Sequence, residues 1–402
     1  MTHLTTPING DIFAKCFRNG LNEVHRAEDS YVIFRPVESA QTPEVMVDGR
    51  PMIMIGSNNY LGLTTHPRIQ AAAKEAIDTY GTGCAGSRWL NGNMRLHEDL
   101  EKVLAEFVEQ EDSVVFSTGY QTNLGAIGCL VGRGELVIID KLDHASILDG
   151  CRMSAGQMIR YRHNDMEDLQ RILKQHVSQP KLVVVDGVFS MEGDIARLPE
   201  IIELAHNYGA RVFLDDAHGI GVLGPEGRGT ASHFGLSREV DMIMGTFSKS
   251  LAGIGGFVAG ASDFVQFVKH ASRPLMFSAA LPPVLVATVR AAVEVIQTEP
   301  ELRRRLWANA KMLKDGLEEQ GYDTGYTETP IVPVVLGDRA DVVEFARLLG
   351  EKGVFANPVK VPAVPPGHDL IRTSVMASHE PHHIRRVLDA FAEAGREMGL
   401  IS

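Results

Sequence analysis

From about residue 60 to residue 260, short apolar runs alternate with helix-like stretches, and few folds accept that alternation. The runs lie at residues 113–117 (SVVFS), 136–140 (LVIID), 182–186 (LVVVD), 212–215 (VFLD), 242–245 (MIMG) and 256–260 (GFVAG). Each is short, rich in β-branched residues and without apolar–polar alternation, as a strand buried on both faces should be. Between them, stretches such as 95–108 and 199–207 space apolar residues three and four apart, the mark of an amphipathic helix. The pattern predicts an α/β fold, a mostly parallel sheet covered by helices.

Nearly every run ends in small or polar residues: Thr118-Gly119-Tyr120, Asp143-His144, Asp186-Gly187, Asp215-Asp216-Ala217-His218 and Thr246-Phe247-Ser248-Lys249. Open α/β sheets bind ligands beyond the carboxyl ends of their strands, so these tails are expected to meet in one crevice. After Pro282 a helical stretch at 284–298 leads into a different composition. Segments 331–336, 340–351, 354–359 and 371–375, then a final helix from about His382, predict a smaller α+β unit. The expected division is an N-terminal segment 1–55, a ligand-binding large domain 56–290 and a C-terminal small domain 291–402.

Charge narrows the partners. Lysine plus arginine number 39 against 51 aspartates and glutamates, a net −12 that repels phosphate backbones and anionic lipid. Nucleic acid and membrane surfaces are therefore not expected as partners, although a local basic pocket for one anionic ligand remains open. No apolar run approaches the roughly 18 residues of a membrane span; the longest, around 279–289, is broken by Pro282 and Pro283. The N-terminal MTHLTTPINGDIFAK lacks a basic-then-apolar signal pattern. Cys16, Cys84, Cys129 and Cys151 form no CxxC pair, so reduced thiols and a cytoplasmic location are expected.

Several residues carry chemistry. Lys249, in GTFSKSLAGIGG (245–256), stands between two apolar strands. Partial desolvation there would make its amine a nucleophile for a Schiff base, and Thr246 and Ser248 are placed to donate to a phosphate. The plainer alternative is a surface lysine in a glycine-rich turn. Asp215 closes a buried run, where a carboxylate needs a cation or donor; a protonated pyridine nitrogen, an arginine or a metal would each serve. Gly119 and Tyr120 open a helix after SVVFS and offer free amides to a phosphate. His144 has the position to stack on a flat ring, or to be a hydrogen-bonded structural residue. Arg372, in LIRTSV, has the chemistry to clamp a carboxylate or to form an internal ion pair. His379, His382 and His383 read as an exposed helix cap rather than a metal site. GIGVLG (219–224) runs into Pro225 with no βαβ unit after it, which argues against a dinucleotide site, and Ser190 lacks the glycines of a nucleophile elbow.

Together these parts suit pyridoxal phosphate, and the chain resembles the α-oxoamine synthases, pyridoxal-phosphate enzymes of the fold-type I aminotransferase class. The resemblance runs from about Asn58 to His379 through SNNYLG (57–62), GSRWLNG (86–92), STGY (117–120), DHAS (143–146), DGVFSM (186–191), DDAH (215–218), the Lys249 motif, Arg372 and ASH (377–379). It implies an aminotransferase-like large domain with a mostly parallel seven-stranded sheet. Within the family, GTFSKS, SRPLMFS (272–278) and LPP (281–283) are most similar to the serine palmitoyltransferase branch. Asp216, Asn93 and Leu275 depart from common family residues and bear on the identity of the substrates.

The resemblance implies a decarboxylative condensation of L-serine with a palmitoyl-CoA-like thioester, giving an α-amino ketone such as 3-ketodihydrosphingosine. Lys249 would carry the cofactor and move the α-proton, Asp215 would hold the pyridine nitrogen protonated, and His218 would contact the ring hydroxyl. His144 would stack on the ring and help orient the substrate carboxylate, which Arg372 would also engage. Thr246, Ser248 and the Gly119–Tyr120 amides would hold the phosphate, with Ser190 also near the cofactor. Asn59, Tyr60 and Arg372 would bind substrate. A homodimer would complete each site, Ser278 and Ala279 reaching across from the partner. Rival readings are a family member using glycine, alanine or an acyl-carrier-protein thioester (the 8-amino-7-oxononanoate synthase or 2-amino-3-ketobutyrate ligase type), a catalytically silent subunit, or a binding protein on the same scaffold.

Overall fold

The computed structural model describes residues 11–18 and 34–401. Strands β1 (Glu44–Val47) and β2 (Arg50–Met54) form a hairpin closed by Asp48 and Gly49, both at positive φ (51° and 69°), the turn that matches strand twist. The main sheet follows: β3 (Asp112–Phe116), β4 (Leu136–Asp140), β5 (Gln157–Tyr161), β6 (Lys181–Asp186), β7 (Ala210–Asp215), β8 (Met242–Thr246) and β9 (Gly256–Gly260). Its order is β3-β9-β8-β7-β6-β4-β5, and every pairing is parallel except those of β9 with β3 and β8. The mostly parallel sheet expected from the runs, with the seven strands that the resemblance implies, is therefore present.

Burial explains the unalternated runs. Val114, Phe116, Val137, Ile139, Val184, Phe213 and Met244 pack into one apolar cluster, while Val115, Ile138, Val183, Val185, Leu214 and Ile243 pack into another. Successive residues point to opposite faces, and both faces are dry. The seventh strand, β5, was not among the six apolar runs because it is an edge strand: QMIRY is buried only at Tyr161.

A second sheet, β10 (Ile331–Val335), β13 (Leu370–Ser374) and β12 (Asn357–Val359), is antiparallel. β11 (Val354–Phe355) instead joins β2 in parallel, so the N-terminal hairpin shares a sheet with the C-terminal region. Residue 290, the expected boundary, lies inside the helix Pro283–Thr298, which packs on helices Pro67–Tyr80 and Arg95–Phe107. No helix among the described residues is long and apolar enough to cross a membrane.

At the carboxyl end of the sheet, His163 ties three segments together. Its Nδ1 lies 3.0 Å from Asp140 Oδ1 at the end of β4, and its Nε2 lies 3.1 Å from Asp194 Oδ2 in the loop after β6. Asn164 adds a backbone donor to Asp140 and a side-chain donor to Asp194, both at 2.8 Å. Burial alone would lower the imidazole pKa, but the two carboxylates carry it up to about 10. A raised pKa stabilises the fold fully below the ordinary value near 6.5, and the stabilisation fades as pH rises through about 10. His163→Gln should cost about 2 kcal/mol at pH 7. Urea unfolding of both proteins should show that gap narrowing between pH 8 and about 10; a constant gap would refute a charged His163.

Candidate active site

The helix Gly119–Leu130 begins directly after β3. Thr118 caps it, its Oγ1 accepting from the Gln121 amide at 3.1 Å, which leaves the Gly119 and Tyr120 amides unused at the positive end of the helix dipole. Gly119 has to be glycine: a Cβ there would sit 2.4 Å from Thr246 Oγ1. Thr246, at the end of β8, hydrogen-bonds Ser248 Oγ at 2.9 Å, so two hydroxyls and two amides converge on one corner. An anion is the ligand such a corner suits.

Asp215 ends β7 and is 3% exposed. Its Oδ1 accepts from the Ala217 amide at 3.0 Å and its Oδ2 from Asn123 Nδ2 at 2.6 Å. Among the described residues its partners are amides, with no arginine hydrogen-bonded to it, so the internal Asp–Arg reading falls. Lys249 lies part-buried beside it; loss of water pushes its amine down to about 8, against the upward pull of Asp215 and Asp186 and with a further downward push from Arg372. That is the state of a nucleophilic lysine, not of a free surface one.

One cavity of about 320 Å³ is lined by Gly119, Tyr120, His144, Ser190, Asp215, His218, Thr246, Ser248 and Lys249, nine residues singled out from the sequence. The Nδ1 of His218 lies 2.7 Å from the Tyr60 hydroxyl. Its pKa falls well below the ordinary value through burial and the charges of Lys249 and Arg372, so its ring is neutral. Arg372 is buried on β13 and donates through Nε to the Ser190 carbonyl (2.6 Å) and through Nη2 to Asn58 Oδ1 (2.9 Å).

The structure corrects the placement of Asn59. Its Nδ2 donates to the Gln41 carbonyl and Thr64 Oγ1, away from the cavity, whereas Asn58 reaches Arg372 and the Tyr60 hydroxyl. The Tyr60 N–H donates back to the Asn58 carbonyl at 2.8 Å, and in this tight turn the Asn58 and Asn59 side chains take separate partners. Ser278 and Ala279 do not line this chain's cavity; Ser278 Oγ accepts from Gln121, and the Ala279 carbonyl accepts from Ser117 Oγ. Asn123, Ser146 and Asp186 surround the site but received no role from the sequence. Asp186 stood at a run's end and Ser146 inside DHAS, while Asn123 gave no signal in mid-helix.

The three C-terminal histidines are also revised. His379 and His383 are buried, each Nδ1 accepting a backbone N–H (from Met376 and Glu380), and only His382 is exposed. Glu44, His382 and His383 bring ligand atoms within 4.8 Å of one another. His383 accepts at Nδ1, so its proton is on Nε2, 3.6 Å from Glu44 Oε1. A metal needs a bare ring nitrogen, and in His383 one accepts a backbone N–H while the other carries the proton.

Comparison with known proteins agrees with this geometry. The family model described as aminotransferase class I and II matches residues 50–391. The chain is 48% identical over 371 residues to a serine palmitoyltransferase of Bacteriovorax stolpii, covering 92% of this chain and 88% of the relative. It is 44% identical over 367 residues to an 8-amino-7-oxononanoate synthase of Thermoanaerobacter pseudethanolicus, covering 91% and 93%. Its fold superposes with a TM-score of 0.93 on a serine palmitoyltransferase from S. paucimobilis with a bound PLP–myriocin aldimine, at 39% identity over 97% of this chain and all of that one. The Sphingomonas wittichii serine palmitoyltransferase gives the same score at 37% identity, covering 98% and 100%. A family model spanning 342 consecutive positions, from 50 to 391, and relatives close to half identical leave one assignment: the chain belongs to the aminotransferase class I and II family.

Proposed function

We propose that the chain is a pyridoxal-phosphate-dependent acyltransferase that joins L-serine to a long-chain acyl-CoA, releasing CO2 and CoA and leaving an α-amino ketone. The meeting of Lys249, Asp215, His144 and His218 in one cavity, with a helix N-terminus at its edge, carries the reading. The residues fit the cofactor. The Gly119 corner has backbone close enough that a Cβ would collide with Thr246, and its amides and hydroxyls suit a phosphate. Asp215, held between two amide donors, suits a protonated ring nitrogen.

Pyridoxal phosphate, when bound, supplies an electron sink that stabilises a carbanion at the amino acid's α-carbon. The Gly119 and Tyr120 amides, Thr246 and Ser248 hold its phosphate. Asp215 keeps a proton on the ring nitrogen, and His218, its Nδ1 engaged by Tyr60, offers Nε2 to the ring hydroxyl. His144, which lines the cavity, would lie against the ring face. Lys249, with a pKa near 8, supplies a neutral amine as nucleophile and then as the base that takes the α-proton. Arg372, oriented by Ser190 and Asn58, binds the substrate carboxylate.

A cytoplasmic homodimer belongs to the same proposal. Leu90 (82% exposed) and Phe277 (71%) are brought together by the Ser87–Ala279 bridge, and Ile254 (55%) edges the cavity. Apolar residues so exposed mark a contact surface, and a second copy placed there would bring Ser278 and Ala279 towards the neighbouring site. A fully active monomer at dilution would sink this part.

Release of CoA thiol from palmitoyl-CoA, with serine, glycine, alanine and threonine in parallel, tests the substrates. Turnover with serine alone is expected; turnover confined to glycine or alanine, or only with a carrier-protein thioester, would move the chain to another branch. Lys249→Ala should lower turnover by about 10²–10⁴-fold with unchanged thermal unfolding. Covalent capture of pyridoxal phosphate by the cofactor-free protein needs the neutral amine, so its rate, followed by visible absorbance, should rise with pH and level off above about 8. A rate still climbing with pH between 9 and 10 would contradict the lowered lysine.

A further inference from the structure

A continuous hydrogen-bonded chain joins the two groups that embrace the cofactor ring. Asn123 Nδ2 lies 2.6 Å from Asp215 Oδ2 and 2.8 Å from Ser146 Oγ, and Ser146 Oγ lies 2.7 Å from His144 Nδ1. We propose that Asn123 and Ser146 are positioning residues that fix His144 as the tautomer protonated on Nε2, so that its free N–H donates into the cavity towards the carboxylate of the bound amino acid. This rests on the function proposed above.

Proton counting gives the direction. An ionised carboxylate only accepts, so the atom of Asn123 facing Asp215 must be the NH2, and its second hydrogen goes to Ser146. Among the described residues the Asn123 carbonyl oxygen is buried with no partner, as expected of an amide placed for its donors. Having accepted from Asn123, the Ser146 hydroxyl sends its single proton to His144 Nδ1. The Ser146 backbone N–H, 3.3 Å away, points at the same atom. Nδ1 therefore presents a lone pair, and the one proton of a neutral imidazole sits on Nε2, which has no hydrogen-bond partner among the described residues. One side of the ring is open to the cavity, but crowding around it lowers its pKa, Asp215 opposing and Lys249 adding to the fall. Asp186 completes the mount: its Oδ2 accepts the His144 backbone N–H at 2.8 Å, while its own N–H donates to Asp143. Ring and backbone of His144 are thus held from two sides.

The test begins with the cofactor-free protein, where no turnover is needed. Side-chain ¹H–¹⁵N correlation spectra, with His144 assigned through His144→Gln, should show Nε2–H and a bare Nδ1 in the wild type at pH 7.5. Ser146→Ala, which leaves a methyl in place of a hydroxymethyl, and Asn123→Ala should each shift His144 towards a mixture of tautomers. In the pyridoxal-phosphate-loaded enzyme, the Kd for serine, read from the change in visible absorption, should rise about tenfold in Ser146→Ala. Ser146→Thr, which keeps the hydroxyl, should restore both readouts. A wild-type His144 protonated on Nδ1, or an unchanged tautomer in both alanine variants, would overturn the proposal. If serine fails to bind the wild type while the tautomer pattern holds, the assignment of substrate fails and the positioning role stands.

Discussion

A carboxylate buried at the end of a parallel strand has to be matched by donors, and Asp215 sets that demand for the whole crevice. The sheet gives it one donor, the Ala217 amide where the chain leaves β7, and the helix after β3 gives the other through Asn123. Both depend on β3 and β7 keeping their places, and β9 and β8 lie between them. The same demand recurs one strand over. Asp186 is buried and Asp143 half-buried, and loss of water with neighbouring carboxylates raises both pKa values well above the ordinary range, so this end of the sheet does not carry a full set of negative charges. Asp215 is instead held by two amide donors, from Ala217 and Asn123. The low-pKa lysine and the amide-bound aspartate are two sides of one electrostatic arrangement.

Much of this was legible in the sequence because burial on both faces leaves a plain signature. Six of the seven strands showed as unalternated apolar runs, and the polar tails after them held eight of the nine cavity residues singled out, Ser190 coming instead from DGVFSM. Recognition of the ordered motifs then supplied roles that spacing alone left open between several chemistries. What stayed hidden depends on long-range pairing. β5 lies at an edge and carries Gln157 and Arg160 to solvent, so it has no apolar run to show. β11 has two residues, and its existence depends on a partner three hundred positions earlier.

The site was illegible for similar reasons. Asn123 lies mid-helix, 92 positions from the carboxylate it serves. Nothing local distinguishes it from a polar residue that faces water. Asn58 and Asn59 differ by one position, and only the packing of Asn59 against Gln41 and Thr64 shows which one turns inward. Side-chain facing in irregular backbone is decided by tertiary neighbours, which a motif does not record.

β9 runs against its neighbours, and this governs how Lys249 is mounted. β6 and β7 are each followed by a helix before the next strand of the main sheet, whereas β8 returns to β9 across a loop of nine residues, 247–255, closed by backbone bonds from Phe247 to Gly255 and from Gly253 to Phe247. A crossover helix can drift or lengthen while its strands stay put. This loop has both ends fixed in one rung of the ladder, Thr246 opposite Gly256, so extra residues would have to bulge into the crevice or prise the ladder apart. Length variation within such a scaffold is therefore free at the helical connections and barred at the lysine, and the amine keeps its reach while the rest of the pocket changes around it.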